Sequence, residues 1–152
     1  MAHEEFERSF VVPASARSTW DTITDVQRLI SWLSVLEEAE TIQPLDRYRA
    51  VLQDRLGMFS LRADLDITVS EHTEPTFIAA SAEGEDRQVG SRIQVAVRLG
   101  LDEREEGAQT LLTVSGHYEV TGRVATLGSA TIRRKADKIL EEFFTNLSNE
   151  LT

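Results

Sequence analysis

The C-terminal stretch from Gly122 to Leu151 constrains this chain more than any other part of it. Ile132, Ala136, Ile139, Phe143 and Leu147 recur at three- and four-residue spacing, Leu140, Phe144 and Leu151 widen the stripe, and no proline interrupts it. That periodicity predicts one long amphipathic helix with a broad apolar face. Such a face must cover something, and the chain before it reads mostly as strands. The expectation is a sheet closed over by one helix, with a pocket between them.

Alternation is clearest from Phe59 to Ser70. Phe59, Leu61, Ala63, Leu65, Ile67 and Val69 alternate with Ser60, Arg62, Asp64, Asp66, Thr68 and Ser70, so one face is dry and the other wet. Arg47 to Leu56 alternates in the same way, with Tyr48, Ala50, Leu52 and Leu56 on one face. Glu74-Pro75 breaks the pattern, Phe77 to Ala82 is a further strand, and Glu83 to Gly90 reads as a polar turn. Ile93, Val95, Val97, Leu99 and Leu101 line one side of the next strand. After an acidic hairpin at Asp102 to Gly107, the last strand turns Leu112, Val114, Gly116, Tyr118 and Val120 inward.

At the other end, Phe6 to Val12 is a short strand stopped by Pro13, and the residues before it are expected to fray. Ser15 caps a helix carrying Trp20 and Ile23, and Asp25 caps a second with Leu29, Ile30, Trp32 and Leu33. The order is strand, two short helices, about six strands, long helix. Strands joined by short turns imply an antiparallel meander with a polar outer face.

The 152 residues suit a single domain, taken as residues 1–152. A formal charge of −10 repels nucleic-acid phosphates, which argues against nucleic acid as a partner. The absence of cysteine excludes a disulfide scaffold, a thiolate metal site and a cysteine nucleophile, and fits a reducing cytoplasm. Met1 to Arg8 carries three glutamates and no apolar run, so no signal peptide is expected there. No apolar stretch approaches the roughly 20 residues that span a bilayer, so membrane contact would be peripheral.

Local words along the chain add a family. Phe10-Val11-Val12-Pro13-Ala14-Ser15 followed by Trp20 and Thr24-Asp25 resembles the opening of the carbon monoxide dehydrogenase CoxG family. So do Asp46-Arg47-Tyr48, Leu56-Gly57, Val120-Thr121-Gly122-Arg123 with Leu127-Gly128, and Glu142-Phe143-Phe144-Thr145-Asn146-Leu147. The matches span Phe10 to Leu147 in order. The resemblance implies an α+β helix-grip fold of the START-like, Bet v 1-like (SRPBCC) kind. That fold is an antiparallel curved sheet of about seven strands, with two short helices after strand 1 and a long C-terminal helix over the sheet. It also implies a ligand carrier accessory to a molybdenum hydroxylase and to its membrane association, handling a quinone or another lipophilic molecule at the inner face of the cell membrane. Two positions depart from the family pattern: Ser34-Val35 replaces a proline–glycine pair, and Asp54 replaces an inward apolar residue. Members often continue into a variable tail, whereas this sequence stops at Thr152, so a tail-borne membrane function is not expected.

Catalytic chemistry is poorly represented. His3, His72 and His117 are scattered in sequence and read as surface or rim residues, so no metal site is expected. No serine sits in a nucleophile elbow, and Gly84 and Gly90 bound a turn rather than open a helix, so no phosphate loop or bound cofactor is expected. Asp54 shares the parity of Tyr48, Ala50 and Leu52. It either points inward, where desolvation would raise its pKa, or is turned to water by a bulge at Leu56-Gly57.

Inward Tyr48, Leu52, Asp54, Phe59, Leu61, Leu65, Ile67, Val95, Val97, Val114, Tyr118, Ile139 and Phe143 are the candidate cavity lining, with Tyr48, Asp54 or Tyr118 orienting a head group. Val124, Leu127, Gly128, Ile132, Arg133 and Arg134 are the candidate entrance. There exposed apolar residues and a basic cluster would meet anionic lipid, or else form a solvated face. Gly128 marks a bend or a close approach. The leading expectation is a non-enzymatic carrier. The alternatives are a polyketide cyclase or aromatase using the same cavity, and an interaction module with a filled core.

Overall fold

The computed structural model describes residues 2–151. Strand β1 (Ala2–Val12) leads into helices α1 (Ala16–Ile23) and α2 (Val26–Trp32). Six strands follow: β2 (Leu36–Gln43), β3 (Arg47–Leu56), β4 (Phe59–Thr73), β5 (Phe77–Asp86), β6 (Ser91–Arg104) and β7 (Gln109–Gly122). They form one antiparallel curved sheet in the order β1-β7-β6-β5-β4-β3-β2. A 3-10 turn (Arg123–Leu127) then leads to helix α3 (Ser129–Glu150).

The helix starts follow the sequence signals. Ser15 accepts a hydrogen bond from the Ser18 amide at the head of α1, and Asp25 accepts from Gln27 and Arg28 at the head of α2. Glu103 adds a carboxylate at the α1 amide of Ala16, 2.9 Å away, where the helix dipole favours negative charge.

Three boundaries differ from the sequence expectation. β1 begins at Ala2 rather than Phe6, and His3 pairs with Glu119 of β7 instead of fraying. The ladder supplies the backbone hydrogen bonds that local sequence does not reveal. β5 likewise continues to Asp86, through residues read as turn, because Glu83, Gly84 and Glu85 pair with both neighbouring strands. The long C-terminal helix is also divided. Gly128 (φ 92°, ψ 153°) separates the 3-10 turn from α3, so the helical stripe proper starts only at Ser129. This backbone region is essentially closed to other residues. A Cβ there would meet nothing within 4 Å, so the glycine serves the bend and not a close approach.

The interior is organised as two buried clusters. One gathers Val12, Trp20, Trp32, Leu112 and Leu147 where α1 and α2 meet the sheet and the end of α3. The other gathers Leu61, Ala63, Tyr118, Val124 and Ile132 at the opposite end, under the 3-10 turn and the first turns of α3.

Candidate functional site

The inner face of the sheet is built by register. β3 and β4 pair without a shift from Arg47↔Thr68 to Leu56↔Phe59, which sets Tyr48 opposite Ile67, Ala50 opposite Leu65, Leu52 opposite Ala63 and Asp54 opposite Leu61. Asp54 therefore lies on the dry face, and no bulge intervenes. Across β5, β6 and β7 the same face carries Ala80 and Ala82, Val95 and Val97, and Val114 and Tyr118.

A half-buried apolar band separates the two buried clusters. Tyr48, Ala80, Val97, Leu140 and Phe143 pack onto one cluster, and Leu52, Phe59, Ile67, Val95 and Ala136 onto the other. Ile139 is also only half-buried, while Leu61, Leu65 and Val114 are buried. A domain of this size normally builds one contiguous core, so a band of incompletely covered apolar side chains beneath a helix is the distinctive feature of this interior.

Helix α3 is tied down along both flanks by polar contacts. On the β1 side, Arg133 donates to Glu4 at 2.7 Å and Arg8 to Asp137 at 2.8 Å. On the other side, Lys135 meets Asp54 of β3 at 2.6 Å, the two side chains being 24% and 20% exposed. Glu142 accepts from the Ser34 hydroxyl at 3.0 Å and amide at 3.4 Å. Lys135 and Glu142 are two helical turns apart, about 10 Å at 1.5 Å per residue. The two contacts thus hold α3 at two points, to β3 and to the α2–β2 connection. Asp54 and Ser34 are the partners that the rest of the fold supplies to α3 in these contacts.

At the same end, Leu127 rests on the β3–β4 turn, where a Cβ on Gly57 would come within 3.1 Å of its side chain. Ser91 accepts from the Val124 amide at 2.9 Å and anchors the 3-10 turn to the sheet. Val124 is 1% and Ile132 7% exposed, so these two side chains, expected to be exposed, face the core instead, and Leu127 is half-buried. The expected basic cluster is dispersed too. Arg133 turns to Glu4 and Lys135 to Asp54, while Arg134 remains exposed beside Thr131.

Sequence reasoning missed Lys135 as the partner of Asp54, and a signal for it existed. Lys135 sits three residues after Ile132 and four before Ile139, at the margin of the apolar stripe. A lone charge there and a lone carboxylate on the facing strand each require a partner.

Tyr118 stands apart electrostatically. It is 6% exposed, and its ring stacks on Phe6 at 6.4 Å between centroids. Burial pushes the phenol pKa up, Glu4 and Asp137 add to that rise, and Arg133 opposes it. The phenol therefore keeps its proton. Among the described residues its hydroxyl is the buried side-chain polar atom left without a hydrogen-bond partner.

Two open depressions lie on the polar outer face of the sheet, one of about 610 Å³ lined by Arg62, Asp64, Glu83 and Arg92, the other of about 370 Å³ beside Thr68, Gln94 and His117. His3 and His117 bring their rings to 5.8 Å on that face, but no cluster of three metal-ligating residues forms among the described residues. No helix there is long and apolar enough to cross a membrane.

A curved seven-stranded sheet gripped around a C-terminal helix defines the START-like, Bet v 1-like class. A conserved protein from Geobacillus kaustophilus shares it at a TM-score of 0.86 and 21% identity, over 97% of this chain and 95% of that one. A START superfamily protein from Mycobacterium smegmatis matches at 0.71 and 15%, over 99% and 97%. The Zhui aromatase/cyclase of a Streptomyces species matches at 0.68 and 13%, over 98% and 93%. At these identities the likeness is one of fold. The model of the carbon monoxide dehydrogenase CoxG family matches residues 9–152, and the chain belongs to that family. No curated protein matches the sequence.

Proposed function

We propose that this protein is a non-enzymatic carrier that holds a lipophilic molecule, a lipid or quinone, between the sheet and α3. In this reading it delivers the molecule to a membrane or to an oxidoreductase, with a molybdenum hydroxylase of the carbon monoxide dehydrogenase type as the partner class. The half-buried apolar band is the observation that carries the reading. Covering that band with a ligand removes apolar surface from water at roughly 25 cal/mol per Å². In this reading the ligand enters past α3 between the Lys135–Asp54 and Glu142–Ser34 contacts.

The cyclase alternative needs convergent free acids and bases. The charged groups along the α3 flanks, Glu4, Arg8, Asp54 and Lys135, are instead each engaged in an ion pair, and buried Asp86 is held by backbone amides. Native mass spectrometry of protein purified from its own cells tests the carrier reading. Adducts of one lipophilic mass, lost on solvent extraction, support it. Adduct-free protein that also fails to take up an apolar dye points to a filled interaction module.

Membrane contact, within the same proposal, falls to the end where Met58 is 80% exposed and Arg55, Arg123 and Arg134 have no carboxylate partner among the described residues. Basic side chains around an exposed apolar tip suit an anionic interface even on an acidic protein. Sedimentation with anionic but not neutral vesicles is expected, and Arg55→Glu with Arg134→Glu should abolish it. Equal binding by wild type and variant would remove this part of the proposal.

A further inference from the structure

Of the three side chains that the sequence offers for orienting a head group, Tyr48 and Asp54 already have partners. The Tyr48 hydroxyl accepts from the Leu45 amide at 2.8 Å. Asp54 uses one oxygen on the Arg55 amide and the other on Lys135. Among the described residues, the Tyr118 hydroxyl is the one left buried without a partner. A buried hydroxyl without a partner raises the free energy of the closed state, and whatever supplies an acceptor recovers it.

What covers Tyr118 is also what can move. Ile132 and Ala136 of α3 belong to the same cluster as its ring. The start of α3 has no side-chain cap, and Gly128 bends the chain just before it. The charged groups around the phenol are Glu4, Arg133 and Asp137. Glu4 is paired with Arg133, and Asp137 with Arg8. The surroundings are thus balanced in charge and offer an incoming head group no unpaired cation.

We propose that the Tyr118 hydroxyl is the donor that anchors an oxygen acceptor of the carried molecule, which makes the ligand an uncharged lipophile bearing a ketone, quinone or ester carbonyl. The first turns of α3 lift at Gly128, releasing the Lys135–Asp54 contact beside the ligand's way in, and the closed form is the unloaded one. Because the phenol stays protonated, it donates at every physiological pH. This inference rests on the carrier reading and narrows its ligand class.

The test uses two probes delivered from cyclodextrin, a long-chain methyl ketone and the alkane of equal length, each displacing anilinonaphthalene sulfonate from the protein. Wild type should prefer the ketone by about five- to tenfold, the contribution of one neutral hydrogen bond. Tyr118→Phe should lose that preference, keep the alkane affinity and melt no lower than wild type. The carbonyl stretch of the bound ketone should shift to lower frequency in wild type and return in the variant. A ketone preference or a stretch shift that survives in Tyr118→Phe overturns the anchor and leaves the carrier reading standing. Wild type that binds both probes equally does the same. Wild type that takes up neither the dye nor the probes overturns both.

Discussion

Lys135 of α3 and Asp54 of β3 lie 2.6 Å apart and join the helix to the sheet. The contact is mostly shielded from water, so it should couple more strongly than a surface pair without reaching the magnitude of a fully buried one. A double-mutant cycle with Asp54→Asn and Lys135→Met, followed by urea unfolding, should return a coupling of about 1 kcal/mol. High salt should reduce it only partly. The same substitutions should speed apolar dye uptake in stopped-flow mixing, because they free one of the contacts that hold α3 to the sheet. Unchanged uptake would show that entry occurs elsewhere.

Gly128 isolates a backbone effect. Its surroundings are empty to 4 Å, so Gly128→Ala introduces no clash and acts through φ 92° and ψ 153° alone. A loss of about 1–3 kcal/mol is expected from chemical denaturation. If the bend is the hinge, hydrogen exchange should rise in residues 129–136 and not in the second half of α3.

Asp86 should give the protein an acid-sensitive component. Burial raises its carboxyl pKa, but hydrogen bonds from the Arg62, Val89 and Gln88 amides outweigh this, and the net pKa is lowered. A lowered folded-state pKa means the stabilisation is present above the unfolded value, near 3.8, and is lost as pH falls through the folded value. Asp86→Ala should cost about 1–3 kcal/mol at neutral pH, since three amides lose their acceptor. The gap between variant and wild type should narrow below about pH 4. A pH-independent gap would assign the effect to packing.

The C-terminal end of α3 should respond differently from its middle. Leu147 is fully buried against the Trp20 and Trp32 cluster, and Leu147→Ala should cost about 2–5 kcal/mol in thermal or urea unfolding. Ile139, half-buried over the band, should cost clearly less when truncated and should weaken ligand uptake more. Equal stability losses would mean that the band is packed as tightly as the core.

Much of this architecture was legible locally. Period-two alternation placed β3 on its observed residues, and Ser15 and Asp25 cap the two short helices as their chemistry suggests. The spaced words from Phe10 to Leu147 identified the family. Parity alone put Asp54 on the same face as Tyr48 and Leu52. The pairing of β3 with β4 shows that no bulge turns it away.

Other outcomes depended on residues distant along the chain. His3 is ordered only because β7 lies beside it, and β5 runs past its apolar residues only because β4 and β6 offer ladder partners. Val124 and Ile132 look exposed beside a basic run, yet the 3-10 turn and the first turn of α3 bring them into one cluster with Leu61 and Tyr118. Arg133 and Lys135, two residues apart, go to opposite flanks of α3, one to Glu4 and the other to Asp54. Residue spacing and local backbone chemistry are enough to define the elements, their dry faces and the family. Three-dimensional packing sets which charges are neutralised, which apolar residues stay half-covered, and that Tyr118 keeps a hydroxyl without a partner. Those outcomes depend on distances between strands and helix that no local pattern encodes.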